Sequence, residues 1–388
     1  TAILTSSLAL SLLRHSSSPN QSFVLSPFSL NTALSIVHDG ANGKTQEELT
    51  NLLLTNCTPS DVTNFYSSLA ISISSDSNSQ VTFKSANRFY IDHSISLKAD
   101  YQQHIEDNYN GMWDDTPSIA SGWCRVRTLT CSYPTFPSSR LYIVENLNLR
   151  DNNHAADTMN NFVDQETNGM IKEIINADAM SNDNLAYLVN AIYFHGKWKI
   201  PFKHSCTRSR LFNGIKQMEF MSINEEKFNV NTINDFGTVL VLPYQDEKYN
   251  FFYLMPDESS NIDNLRKELT GERLLGLLRN AHRTEVTIIV PKFKLESEID
   301  GTEVLKKMGV ETLFNDQANL TKISDTRFRV SEVQHKAMIE MDEQGTTAAA
   351  VTAVKCTKRS APFTIIIDRS FLFGIIRDED ILFLGQFV

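Results

Sequence analysis

A chain of 388 residues, 41% of them hydrophobic, has the apolar material for a substantial core and is not a disordered polymer. Its 36 Lys and Arg against 46 Asp and Glu give a formal charge of −10, a field that favours neither nucleic acid nor an anionic membrane as partner. No apolar run reaches the roughly 18 residues needed to span a bilayer.

The opening stretch "TAILTSSLALSLLRH" puts apolar residues on one helical face. It lacks the charged n-region and small-residue cleavage site of a signal peptide, so it reads as a first core helix. Five cysteines, Cys57, Cys124, Cys131, Cys206 and Cys356, have no Cys-x-x-Cys spacing, which argues against a zinc site and a disulfide framework. An odd, sparse set suits a reducing compartment. A cytoplasmic location is therefore expected, with an extracellular one as the alternative. The glycosylation-type triplets at Asn20, Asn56 and Asn319 matter only in that second case.

"SPFSLNTALSIVHDG" carries Ser26 and Pro27 as helix start signals and Gly40 as a stop, and "KTQEELTNLLL" follows with Leu49, Leu52 and Leu53 on one face. "VTFKSANRFYID" alternates like a strand, "LKADYQQHIEDNY" is helical, and "HAADTMNNFVDQETNG" is a helix closed by Gly169. The second half is rich in strands: "LAYLVNAIYF", "GTVLVLPY", "YNFFYLMP", "EVTIIVPKFKLE", "FTIIID", "FLFGIIRD" and "ILFLGQFV". One amphipathic helix, "NIDNLRKELTGERLLGLL", lies among them. Partly segregated helices and strands make the fold class α+β with mixed or antiparallel sheets. No internal repeat or linker divides the chain, so one domain over residues 1–388 is expected. Residues 113–140 stand apart, with neither helical nor strand periodicity, as a surface loop or as an insertion foreign to the ancestral fold.

Signals of catalysis are absent. "HDGANGKT" ends like a phosphate loop, but that pattern needs Gly where His38 stands and a strand where the sequence shows a helix. There is no H-E-x-x-H and no G-x-S-x-G. The chain is expected not to be an enzyme and to need no cofactor or metal. His335, on an alternating apolar stretch, reads as a core histidine, and Trp198 as a packing residue.

The segment "EQGTTAAAVTAVKCTKRSAPFTIII" is different, because a run of small and β-branched residues leads into Lys358-Arg359-Ser360. Thr346, Ala348, Ala350, Thr352 and Val354 would share one strand face. Such a stretch could slide between two existing strands; the competing reading, an Ala-rich helix, is weakened by Gly345 and by the Thr and Val residues.

The order of "FVLSPFSL", "GANGKTQEEL", "ANRFY", "ETNGMIKEII", "LVNAIYFHGKW", "PKFKLE", "VQHKAMIEMDEQGTTAAA" and "SFLFGIIRDEDILFLGQF" resembles the serpin family from about Ser7 to Val388, except for the insertion. The resemblance implies a single domain of about nine helices and three β-sheets, with an exposed reactive-centre loop at 343–362 that serves as protease bait. Sixteen positions on from Glu343, and twelve back from Phe371, both counts fall on Arg359. The reactive bond would be Arg359–Ser360, with Lys358, Thr357 and Cys356 flanking it. Glu343, Gly345, Thr346, Thr347, Ala348, Ala349 and Ala350 match the family's hinge. Ser26, Ser29, Asn190 and His335 match its polar shutter, and Trp198 and Lys292 its breach, where insertion starts. The function implied is a monomeric suicide inhibitor of a trypsin-like serine protease, with a non-inhibitory carrier or cleaved substrate as the alternative. If the insertion packs on the main sheet, inhibition would be lost.

Overall fold

A computed structural model of the chain describes residues 2–54, 57–74, 81–109, 112–114, 143–181, 183, 185–343 and 363–388. In chain order the elements are α1 (Ala2–Ser16), β1 (Phe23–Leu25), α2 (Pro27–Gly40), α3 (Gly43–Leu53), α4 (Pro59–Ser74), β2 (Val81–Asp92), α5 (Ala99–Tyr109), β3 (Met112–Asp114), β4 (Ile143–Leu147) and α6 (Asn152–Glu166). They continue with β5 (Ala186–Gly196), β6 (Arg208–Phe212), β7 (Lys216–Ile233), β8 (Gly237–Pro243), β9 (Tyr249–Pro256), α7 (Ile262–Glu268), α8 (Gly271–Arg279), β10 (His282–Pro291) and β11 (Phe293–Asp300). The last are α9 (Gly301–Lys307), β12 (Glu332–Met341), β13 (Phe363–Ile366), β14 (Phe371–Arg377) and β15 (Asp380–Phe387). The class is α+β, with nine α-helices among the described residues.

Two sheets hold the strands. One has six, in the order β11-β12-β5-β2-β4-β3; the other has nine, running β1-β15-β14-β9-β8-β7-β10-β13 with β6 beside β7. The long β7 pairs with β6 and β10 over its first part and with β8 over its last residues, so β6, β10 and β13 form one wing of the larger sheet, continuous with the rest of it through β7. The apolar alternation of β14 and β15 is lost because both strands are buried on both faces.

Helix α2 explains how the sheets are brought together. Ser26 caps it by accepting from Ser29 N–H at 3.1 Å, Pro27 supplies the first helical residue, and every residue from Pro27 to Gly40 is buried. A helix buried all round belongs in the middle of a core. On the outer face of the six-stranded sheet, Ala155, Met159 and Val163 of α6 and Ile171 and Ile174 of the segment after it pack on Tyr90, Val189, Ala191 and Met338. Gly169 closes α6 with φ +78°, as its position after the apolar repeat predicts.

Two expected elements are divided. "EVTIIVPKFKLE" is not one strand: β10 ends at Pro291, β11 begins at Phe293, and the two lie in different sheets. Lys292 is the pivot, its N–H donating to Glu219 O at 2.9 Å. "NIDNLRKELTGERLLGLL" is two helices, because Thr270 caps α8 by accepting from Arg273 N–H at 3.1 Å. Gly271 fits there because a Cβ would come within 2.5 Å of Ser7 N on the crossing α1. Of the insertion at 113–140, only Trp113 and Asp114, in β3, fall among the described residues.

Candidate functional site

The seam between β12 and β5 is the centre of the site. These strands are parallel neighbours, in register from Glu332↔Tyr187 to Ile339↔Phe194. Parallel neighbours need a long crossover, and here it runs through most of the second half of the chain.

A row of polar side chains crosses this seam at mid-height. His335 pairs with Asn190, and Asn190 with Asn87 on β2, so three adjacent strands each put one polar residue at the same level. The start of α2 meets that row. Ser26 N–H donates to His335 Nε2 at 3.1 Å, and Ser26 Oγ donates to Leu382 O at 2.6 Å. Because Nε2 accepts, the ring proton sits on Nδ1 and is donated to Asn190 Oδ1. Asn190 Nδ2 donates to Ser29 Oγ at 2.7 Å and also to Asn87 Oδ1. Ser29 Oγ donates to Asn87 Oδ1 at 3.1 Å, and Asn87 Nδ2 donates to Ser85 Oγ at 2.9 Å. Ser26, Ser29, Asn190 and His335 are fully buried. Burial pushes the His335 ring down to about 3, so it is neutral at neutral pH.

Sequence reasoning named Ser26, Ser29, Asn190 and His335, and the fold brings all four together. It missed Ser85 and Asn87. The signal was available: Phe83, Ser85, Asn87 and Phe89 share a parity, and two polar residues on the face that should be apolar mark a buried network.

The upper end of β12 is fastened separately. Trp198 stacks on Tyr244, centroids 4.4 Å apart, and its Nε1–H donates to Asp342 O at 2.9 Å. The next residue, Glu343, has a side chain only 3% exposed. It accepts from Lys292 Nζ at 2.8 Å and from Thr207 Oγ1 at 2.8 Å, while its carbonyl accepts from Phe202 N–H at 2.8 Å. His204 Nδ1 lies 3.3 Å from the same carboxylate. Burial alone would raise the Glu343 carboxyl, but the bonds from Lys292 and Thr207 outweigh it and hold the group at about 2. The bond to Glu343 in turn raises Lys292 above the usual lysine range. Trp198, Lys292 and Glu343 thus converge on the exit from β12. The sequence signalled neither Thr207 nor His204, since both come from the irregular stretch before β6.

Beyond Glu343, the expectations for Gly345, Thr346, Thr347, Ala348, Ala349 and Ala350, and for Cys356, Thr357, Lys358, Arg359 and Ser360, lie outside the described residues. The chain re-enters at β13, which pairs parallel with β10 from Val286↔Phe363 onward.

Over the seam lies a cover tied to both sides. Arg88 of β2 pairs with Glu145 of β4 and sits 3.7 Å from the ring centroid of Phe162 on α6. Lys336 of β12 donates to Glu173 O, in the segment after α6, at 2.8 Å. The cysteines Cys57 and Cys206 are free thiols, and among the described residues no group of three or more His, Cys, Asp or Glu is arranged to hold a metal ion. No helix among them is long and apolar enough to cross a membrane.

A family model described as Serpin (serine protease inhibitor) matches residues 4–116 and 139–388. Iripin-2 of Ixodes ricinus is 29% identical over 385 residues, covering 95% of this chain and 88% of its own. Serine protease inhibitor 42Dd of Drosophila melanogaster is 30% identical over 378 residues, covering 95% and 91%. The crystal structure of a thermophilic serpin, Tengpin, in the native state aligns with a TM-score of 0.82 at 25% identity, covering 99% of this chain and 93% of its own.

Proposed function

Because the chain belongs to the serpin family, we propose that it inhibits trypsin-like serine endopeptidases as a suicide substrate, presenting Arg359–Ser360 for cleavage. The observation that carries this reading is the β5–β12 seam: a parallel pair closed by a small polar row, followed directly in sequence by a run of small residues. An acidic specificity pocket suits Arg359. The protease serine Oγ would bond to the Arg359 carbonyl carbon, the bond to Ser360 would break, and Ser360 would leave as a free amine.

The cut frees the fourteen residues Thr346–Arg359 while leaving them attached to β12 and, through the ester, to the protease. A chain that leaves the top of β12 and turns back runs antiparallel to both β12 and β5. Once parted, the seam could take about ten of the freed residues, because β12 itself has 10 residues. About ten new backbone hydrogen bonds at a net ~1 kcal/mol each give a driving force on the order of 10 kcal/mol. Insertion would drag the protease along and distort the close geometry on which its oxyanion hole depends. In this reading Glu343 is the fixed end of the hinge, and Ser26, Ser29, Asn87, Asn190 and His335 are the closure that insertion parts. The residues 117–138 unmatched by the family model follow α5 and β3, away in sequence from the hinge.

The test is incubation with trypsin followed by denaturing electrophoresis. A denaturant-stable complex of summed mass is expected. A loop-cleaved chain with free, active trypsin would instead favour a non-inhibitory member acting as carrier or substrate.

A further inference from the structure

The motif "HDGANGKT" has two residues that this function leaves unused, His38 and Asp39, at the end of α2. The Asp39 side chain is only 3% exposed, yet among the described residues no lysine or arginine is bonded to it. Its four partners come from three helices. Oδ1 accepts from Thr63 Oγ1 of α4 at 2.5 Å and lies 3.0 Å from His38 Nδ1. Oδ2 lies 3.0 Å from His104 Nε2 and accepts from Tyr109 OH at 2.9 Å, both on α5. A buried carboxylate is costly unless it is paired, and here imidazole protons must do the pairing.

The two histidines are not equivalent. His38 is fully buried and spans between Asp39 and Thr50 Oγ1, 3.0 Å from its Nε2. The His104 side chain is 40% exposed and can exchange protons with solvent. Its Nδ1 is 3.3 Å from Asn108 Nδ2, which also donates to His104 O at 2.9 Å.

We propose that Asp39 and His104 form a proton-operated clasp that fastens α5 to the ends of α2 and α4, tight while His104 is charged and slack once it is neutral. The consequence reaches the main sheet, because α5 runs through two residues into β3, and β3 pairs with β4 at the edge of the six-stranded sheet. The clasp works in the uncleaved chain and needs no protease.

The direction follows from the groups that face the ring. The bond to Asp39 raises His104 above its ordinary 6.5, with burial and Lys322 opposing and Asp107 assisting. A group raised on folding contributes fully below its unfolded value and loses that contribution as pH rises through its folded value. Asp39 itself, which burial would raise, is held at about 2 by His104, His38 and Thr63 and stays charged throughout. From α4 the facing group is the Thr63 hydroxyl; Asp61 is turned to Thr58. Tyr101 and Tyr109, raised by burial, do not ionise in this range.

Hydrogen exchange of the uncleaved protein, read peptide by peptide between about pH 5.5 and pH 8.5 and corrected for intrinsic exchange, tests the clasp. Peptides of α5 should lose protection on the order of ten-fold across that range, while those of β14 do not change. His104→Gln keeps a donor to Asp39 but cannot titrate, and should make α5 protection independent of pH. Asp39→Asn should do the same; if it fails to fold, His104→Gln still decides. Protection of α5 that is already flat in the wild-type protein would overturn the proposal. So would a pH dependence that survives His104→Gln and disappears in His38→Gln.

Discussion

Glu343 Oε2 accepts from Lys292 Nζ at 2.8 Å, and this ion pair ties the exit of β12 to the pivot between β10 and β11. The two residues lie 51 positions apart in the chain.

The pair should couple measurably. In a double-mutant cycle of Glu343→Gln and Lys292→Met, urea unfolding should give a coupling of about 1–2 kcal/mol, since Glu343 is buried and charge-assisted bonds are strong. A coupling near zero would mean that Thr207 and the backbone hold Glu343 without Lys292. Glu343 is depressed from 4.5 to about 2, so its contribution is present above about pH 4.5 and lost as pH falls toward 2.

His335 predicts an acid dependence of its own. Its ring is neutral in the fold down to about pH 3 but titrates at 6.5 in the unfolded chain. Between those values the unfolded state binds the extra proton, so stability falls with acidification by roughly 1.4 kcal/mol per pH unit. His335→Gln should flatten that part of the profile in denaturant titrations between about pH 4 and pH 6. An unchanged slope would place the acid sensitivity elsewhere.

Asn190→Ala should destabilise by about 2 kcal/mol, because it leaves the His335 Nδ1–H without an acceptor at a fully buried site. Asn87→Ala should cost a similar amount, since Ser29 and Asn190 both donate to its side chain. Two variants indistinguishable from wild type would remove the polar row from any part in closing the seam.

The proposed insertion has a steric requirement at its first residue. If the proposed inhibition holds, Thr346→Arg should leave the chain only a substrate, because a long cation cannot enter between β12 and β5 without being desolvated. Trypsin would then be released active, with the loop cut. Equal yields of covalent complex from variant and wild type would refute the role given to Thr346.

Much of this arrangement is legible in the amino-acid sequence. Helix α2, its Ser26 cap and its end at Gly40 follow from local signals, as do the buried strands of the second half, because each depends on neighbours in sequence. What could not be read depends on the third dimension. The divided "EVTIIVPKFKLE" stretch looks continuous because apolar periodicity persists across Lys292 while the strand changes sheets. Asn87 lies hidden inside a well-formed strand pattern, and β7 gives little strand signal because most of its residues are exposed or half-buried and its apolar positions are sparse. Ser26, Ser29, Asn190 and His335 were named through a family resemblance; their spacing along the chain does not announce that they meet.

Cleavage should release stored stability if the segment after Glu343 inserts as a strand. The direct measurement is the thermal midpoint of two-chain protein made by limited proteolysis, its cut placed at Arg359–Ser360 by mass spectrometry, against that of the intact chain. With about 10 kcal/mol gained and roughly 2 °C per kcal/mol for a domain of this size, the midpoint should rise by about 20 °C. A midpoint equal to or below that of the intact chain would contradict insertion and, with it, the trapping mechanism.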